Sequence, residues 1–270
     1  MRENYNYVER VWPLISVVSP CVDFKQVTSY SLTGDLTYDK VAPGGEIKHG
    51  SLGETSRTNQ ADSYGKGIAI DRTTLINDDM GALGAVGKRL GRGGALKEND
   101  VIWSVFKDNA SFFSIGNGNY TTGTATAFSL DGLEAANTLW KARTDPDGKP
   151  LGAMARLVLV PSDLEIRAAR LLGSQYLTAN DEEGENNPFA GKYTVVSSVY
   201  LNDSTTGWYM LCDPNDVPVL EVLFLNGKQE PTIESVDMMP GRLGLIVVAV
   251  HDFGAALQDP TGGHKFKGVV

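Results

Sequence analysis

The chain has 270 residues, 41% hydrophobic and 21% charged, which suits one large globular domain or two lobes sharing a core. Lys and Arg number 24 against 33 Asp and Glu, a net charge of −9. Proteins that read nucleic acid rely on phosphate contacts and are usually basic, so this balance argues against a sequence-reading DNA protein, though an acidic chain can enclose DNA without gripping it.

Residues 1–20 contain no long apolar core of a secretory signal. No apolar run in the chain approaches the roughly 20 residues needed to span a bilayer. The segment reads as an arm whose Trp12, Leu14 and Ile15, with Val17 and Val18, need a partner surface. From Phe24 to Ile76, two stretches rich in β-branched and aromatic residues, FKQVTSYSL and KGIAIDRTTLI, predict strands. The interval between them carries Gly44, Gly45, Gly50, Gly53 and Gly65 and few large apolar side chains. It is too long for an ordinary connection and buries little surface alone, as expected of a two-stranded arm lying on a neighbouring subunit.

Asn77 or Asp78 is placed to cap a helix, with Asp79 in its first turn. Met80, Leu83, Val86 and Leu90 recur at helical spacing, and Leu96, Val101, Trp103, Val105 and Phe106 carry an apolar face on to Lys107. Gly91, Gly93 and Gly94 predict a break, giving two helices in series. Ser114–Thr124 is a loop by composition. Ser129 should cap a helix running to Arg143, with Leu133, Ala136 and Trp140 on one face and Asp145 to Gly148 turning away. ARLVLV, Ala155 to Val160, predicts a short buried strand, and Ser162-Asp163-Leu164-Glu165 reads as a capping box opening a helix that closes at Gly173. An acidic loop, Asn180 to Asn187, follows. Then come the strand-like runs KYTVVSSVYL, GWYMLCD, VPVLEVLFL, PTIESV and LGLIVVAVHDF, and a tail that composition leaves weakly structured. There is no internal repeat and no strict βαβ alternation, so the class is α+β.

Motifs of catalysis are sparse. Asp252-Phe253-Gly254 matches the kinase metal-binding tripeptide without the other kinase elements, and reads as a coincidental strand end. Gly116-Asn117-Gly118 lacks the third glycine of a dinucleotide loop, and no GxxxxGK[ST] occurs. The histidines are His49, His251 and His264, without zinc spacing, and no GxSxG elbow supports a triad on His251. Cys21 and Cys212 form no CxxC pair; they read as small buried hydrophobes in a reducing cytoplasm. Asp145, Asp147 and the acidic loop lack calcium-loop spacing. No catalytic, cofactor or metal residue is assigned.

Four segments, in order, resemble one family. INDDMGALGAVGKRLGRGGALKENDVIW resembles the spine region of phage Mu-like major head subunits and of the capsid half of prohead protease–capsid fusion proteins. RLVLVPSDLEIRAARLL, then NPFAGKYTVVSSVYL with GWYMLCDP, resemble the strand, helix and following strands of its axial lobe. VPVLEVLFLNGKQEPTIES, closing with VAVHDFGAALQDPTGGHKFKG, resembles its C-terminal peripheral sheet. The resemblance implies the tailed-phage capsid fold named for phage Hong Kong 97. Its parts would be an N-terminal arm at 1–29, an extended loop at 30–66, a peripheral domain with spine helix at 67–127, an axial domain at about 128–217, and a return to the peripheral domain from 218 to 270.

The resemblance implies a major capsid protein forming hexamers and pentamers of an icosahedral shell around packaged double-stranded DNA. The partners would be other copies of itself, a portal, a scaffold or maturation protease, decoration proteins and, non-specifically, the DNA, with no membrane and no cofactor. The site would be the virion capsid, assembled in the bacterial host cytoplasm. Tyr38, Lys40, Val41, Ile47, Lys48 and Leu52 of the extended loop, and Trp12, Leu14 and Ile15 of the arm, would make inter-subunit contacts. Lys88, Arg89, Arg92 and Lys97 would form an interior basic patch facing DNA or scaffold, or a plain solvated helix face. Asp181, Glu182, Glu183 and Glu185 would lie near a capsomer axis. Some relatives cross-link through Lys–Asn isopeptides, for which Lys40, Lys48 and Lys66 are candidates. Many relatives begin with a scaffold segment or protease, so a chain starting at the arm is either a processed form or one using a separate scaffold. The alternatives are an encapsulin-like nanocompartment shell and a soluble α+β hydrolase.

Overall fold

The computed structural model describes residues 5–34, 40–41, 43–44, 46, 52–77, 85–107, 109–144, 148–177, 185–237 and 243–268. A 3-10 turn at Trp12–Leu14 leads into β1 (Ser16–Cys21). Two strands, β2 (Val27–Gly34) and β3 (Leu52–Asn59), pair, among the described residues, only with each other, antiparallel from Val27↔Asn59 to Gly34↔Leu52. Strand β4 (Asp62–Asp71) follows, then a one-turn helix α1 (Arg72–Ile76) and the long helix α2 (Val86–Lys107). After β5 (Tyr120–Thr121) come α3 (Leu130–Lys141), β6 (Ala155–Pro161), α4 (Ser162–Gly173), β7 (Tyr176–Leu177) and β8 (Glu185–Asn186). The chain closes with β9 (Thr194–Ser198), β10 (Trp208–Cys212), β11 (Leu220–Leu225), β12 (Thr232–Asp237), β13 (Gly244–Leu257) and β14 (Gly263–Phe266).

These strands build two main sheets. The first runs β1-β11-β13-β12, with β4 paired to the other side of β13 along Gly244–Phe253. The second runs β5-β14-β10-β6-β9. Helix α2 joins them: Ile102, Trp103 and Phe106 share one core with Trp12, Phe224 and Phe253 of the first sheet's side and Leu157, Leu159, Tyr209 and Leu211 of the second sheet. The opposite face of the second sheet, Val158, Val160, Trp208, Met210 and Cys212, is covered by Leu133, Ala136 and Trp140 of α3 and Ala168 and Leu172 of α4. Both faces of β10 are therefore buried, which is why WYMLC is apolar without alternation.

Several sequence expectations change. Helix α2 is unbroken through Gly91, Gly93 and Gly94. A methyl group on Gly94 would lie 3.3 Å from Pro231, so this glycine lets the helix approach the segment before β12, and Gly91 is buried. Packing overrides their low helix propensity. Asn77 closes α1 and does not open the next helix, while Asp78, Asp79, Met80 and Leu83 lie outside the described residues. The Ser162 capping box does not form; Pro161, in extended conformation, is the N-cap, so Ser162 already sits inside α4. Ser129 does cap α3, accepting from Gly132 N at 3.1 Å. The tail is structured as far as Gly268: β13 continues to Leu257, and β14 inserts between β5 and β10 in the second sheet, away from the sheet that the resemblance implied.

Candidate functional site

The β2–β3 ribbon stands apart from the two main sheets. Thr28, Tyr30, Ser56, Arg57 and Thr58 are exposed, Tyr30 to 66%. A lone two-stranded ribbon is marginal in water, so it needs either a rigid base or a partner surface. The base is rigid. Asn59 is buried and donates through Nδ2 to the Glu221 carbonyl at 3.2 Å, with the Glu221 carboxylate 3.4 Å away. Glu221 also accepts from Ser19 Oγ at 2.9 Å and Gln258 Nε2 at 2.7 Å, tying β1, β11, the ribbon and the chain beyond β13 together. Gln60 Nε2 donates to the Phe24 carbonyl at 2.9 Å.

The ribbon's paired limits, Val27–Asn59, differ from the expected 30–66 span. Lys66 lies in β4, opposite Ala249 of β13, and has left the ribbon. Of the loop residues proposed for inter-subunit contact, Lys40 and Val41 are exposed, and Leu52 pairs with Gly34 through its backbone. Tyr38, Ile47 and Lys48 lie outside the described residues, as does His49.

The N-terminal segment finds its surface on its own chain. Trp12 and Ile15 are buried in the core shared with α2, and β1 runs parallel to β11, so these two residues are not free for a partner; Leu14 is 56% exposed. Upstream, Tyr5, Arg10, Glu98 and Asn99 form a buried polar cluster. Arg10 Nη2 lies 3.1 Å from Glu98 Oε1, and the guanidinium sits 4.7 Å above the Tyr5 ring and 5.2 Å from that of Trp12. Asn99 Nδ2 donates to the Glu9 carbonyl at 2.8 Å. Burial pushes the Glu98 carboxyl above its ordinary range, against the opposing pull of Arg10. Sequence reading missed Glu98, yet the signal was present: it lies on the same stripe as Ala95, Ile102 and Phe106.

Lys88, Arg89 and Arg92 are exposed on α2, whereas Lys97 is paired with Asp100 at 3.0 Å. Arg89 and Lys97 line a groove of about 700 Å³ between α2 and the β4–β13 pair, with Tyr64, Ile68 and Val250. Glu185 belongs to β8, which pairs with β7; Asp181, Glu182 and Glu183 lie outside the described residues, as do Asp145 and Asp147.

His251 is in mid-strand, not at a strand end. Its ring is packed among Tyr5, Phe224 and Phe253, with the Gln229 backbone as a polar neighbour, an apolar setting unlike a triad base. Burial drives it from 6.5 down to about 4. His264 is likewise held down to about 4 by burial, with Thr121 Oγ1 at 2.8 Å. Cys212 is buried and its thiol pushed up to about 11, an unreactive state. Among the described residues, no group of three His, Cys, Asp or Glu could hold a metal, and no helix is long and apolar enough to cross a membrane.

The sequence model of the phage capsid protein family matches residues 54–266. The chain's fold is also similar to solved capsids. The capsid of a native GTA particle is 12% identical with a TM-score of 0.65, covering 97% of this chain and 92% of that one. The capsid of cyanophage P-SCSP1u is 10% identical with a TM-score of 0.62, covering 94% and 86%. The capsid of Myoviridae phage XM1 is 12% identical with a TM-score of 0.59, covering 96% and 91%. No curated protein matches the sequence.

Proposed function

The chain belongs to the phage capsid protein family, with the fold of tailed-phage major capsid proteins, and we propose from that premise that it self-assembles as hexamers and pentamers into an icosahedral head around the viral DNA. Its role is structural, in the virion capsid. The observation that carries the assembly mechanism is the β2–β3 ribbon: a firmly anchored base, an exposed stem at Thr28, Tyr30 and Ser56 to Thr58, and, among the described residues, no other strand paired with it. Such a stem is completed by lying on a neighbouring subunit.

In this reading the first sheet with α2 is the peripheral domain, and the second sheet with α3 and α4 is the axial domain. The ribbon is the extended loop. The acidic segment between β7 and β8 lies toward the capsomer axis. Lys88, Arg89 and Arg92 give α2 a cationic face suited to scaffold or packaged DNA. Portal, scaffold or maturation protease would be the further partners, and assembly would proceed in the host cytoplasm.

Electron microscopy of the purified chain, alone or with its scaffold, tests the reading: closed icosahedral shells are expected. Only unassembled monomers under conditions that keep the chain folded would refute it. A nanocompartment would give shells containing a cargo protein and no DNA.

A further inference from the structure

Glu98 ties the N-terminal segment to α2. The carboxylate is fully buried. Tyr5 Oη lies 2.5 Å from Glu98 Oε2 and 2.6 Å from the carbonyl oxygen of Gln229. A phenol has one hydrogen to donate. If Glu98 were ionised, both neighbours would be pure acceptors, and one of these short contacts would place two oxygens together with no hydrogen between them.

A second proton in the cluster removes the conflict. We propose that Glu98 keeps its proton in the folded chain, donating from Oε2 to Tyr5 Oη while Tyr5 donates to Gln229, so that the N-terminal segment is a latch whose hold on α2 weakens as pH rises. The remaining contact is compatible, because Oε1 of a neutral acid still accepts from Arg10 Nη2 at 3.1 Å. Arg10 is the one cation that contacts Glu98 among the described residues, and its charge also lies over the Tyr5 and Trp12 rings.

The other charged or titratable groups around the cluster do not supply the missing hydrogen. From β13, His251 meets the Tyr5 ring edge-on and Asp252 is bonded to Ser63. From the turn before β12, Lys228 donates to Thr232, and the charge of Glu230 acts on Tyr5. From the N-terminal segment, Glu9 is directed to Val199 N at 3.4 Å. On α2 itself, Lys97 and Asp100 pair with each other in solvent. Burial, which disfavours the charged form of Glu98, acts in the same direction as the hydrogen count.

The sign follows. A carboxyl whose folded value is raised contributes stability that is complete below its unfolded value and is lost as pH rises through its folded value. Glu98→Gln provides the test, because the amide is neutral, donates from Nε2 to Tyr5 and accepts through Oε1 from Arg10. Hydrogen exchange of residues 5–15 in the full chain, expressed as protection factors, would be followed across a pH series from mildly acidic into alkaline solution. The wild-type chain should lose protection by about tenfold across that range, and E98Q should begin within about twofold of it at low pH and stay flat. A tenfold loss in E98Q at neutral pH, or parallel profiles in the two proteins, would overturn the proposal. Should E98Q fail to fold, the infrared spectrum of the wild-type chain at neutral pH decides: a protonated carboxyl band supports the latch, and its absence rules it out.

Discussion

Gly254 of β13 packs directly on the backbone at Gln60, where β3 gives way to β4: a methyl group at Gly254 would sit 1.9 Å from the Gln60 carbonyl oxygen. Any side chain there must push apart β13 and the base of the ribbon. Gly254→Ala should therefore lower stability by about 2–4 kcal/mol, as overpacking against rigid backbone does, and should displace the ribbon from its anchor on Glu221. Chemical denaturation of the unassembled chain checks the first effect. A loss under about 0.5 kcal/mol would show that the backbone yields easily. The glycine of the Asp252-Phe253-Gly254 tripeptide thus has a packing reason to be glycine.

What the sequence made legible was local. Apolar runs marked β6, β10, β11 and β13, and Ser129 marked the start of α3. The unread features depend on distant partners. The glycines of α2 look like a break until Pro231 is placed against Gly94. The tail looks loose until His264 and Phe266 are paired across from Met210 and Trp208. Trp12 and Ile15 were recognised as needing cover, but only the fold reveals that α2 and β11 supply it. Glu98 reads as an ordinary charge in the sequence because its partners, Tyr5 and Arg10, are remote from it along the chain.

The glycines of α2 are separable by substitution. Gly93 is exposed, with nothing within 4 Å of an added methyl group, whereas Gly94 faces Pro231 at 3.3 Å. Gly93→Ala should raise stability by about 0.5–1 kcal/mol through helix propensity and reduced freedom of the unfolded chain. Gly94→Ala gains the same propensity but must displace Pro231, so its net effect should fall below that of Gly93→Ala. Thermal unfolding of the two variants side by side gives the order, and the reverse order would mean that α2 does not pack on Pro231 in solution.

Acid should weaken the subunit through its buried histidines. Burial holds His251 and His264 each at about 4 in the fold, against 6.5 for the free side chain. Depressed values stabilise the folded chain above the unfolded value, and that stabilisation is lost as pH falls from about 6.5 toward about 4, by up to a few kcal/mol per residue. Because His251 is packed among the rings of Tyr5, Phe224 and Phe253, His251→Phe should cost little at neutral pH and should remove part of the acid loss. Denaturation midpoints at neutral and acid pH measure both. An acid profile unchanged in the variant would locate the effect elsewhere.

Cutting the ribbon should separate folding from assembly. Ser31 pairs with Thr55, so replacing residues 32–54 by a two-residue turn shortens the ribbon in register and keeps Asn59 on Glu221. The shortened chain should unfold at nearly the wild-type midpoint yet fail to form shells. Size-exclusion chromatography and electron microscopy provide the readout. Shells of normal size from this variant would remove the ribbon from the assembly mechanism.

The acidic segment joins β7 to β8, whose register is Tyr176↔Asn186 and Leu177↔Glu185. If it lies near the capsomer axis, as proposed, Asp181, Glu182, Glu183 and Glu185 from each copy converge on one place. Like charges brought together repel unless they are splayed apart, solvated or neutralised. Screening acts over about 8 Å at physiological ionic strength, so modest added salt or divalent cations should promote assembly. Replacing the four acids by Asn and Gln should flatten that dependence and permit assembly at low salt, with the stability of the isolated chain nearly unchanged. Light scattering during assembly, across a salt series for both proteins, makes the comparison. Superimposable salt profiles would mean that these carboxylates do not meet at an axis.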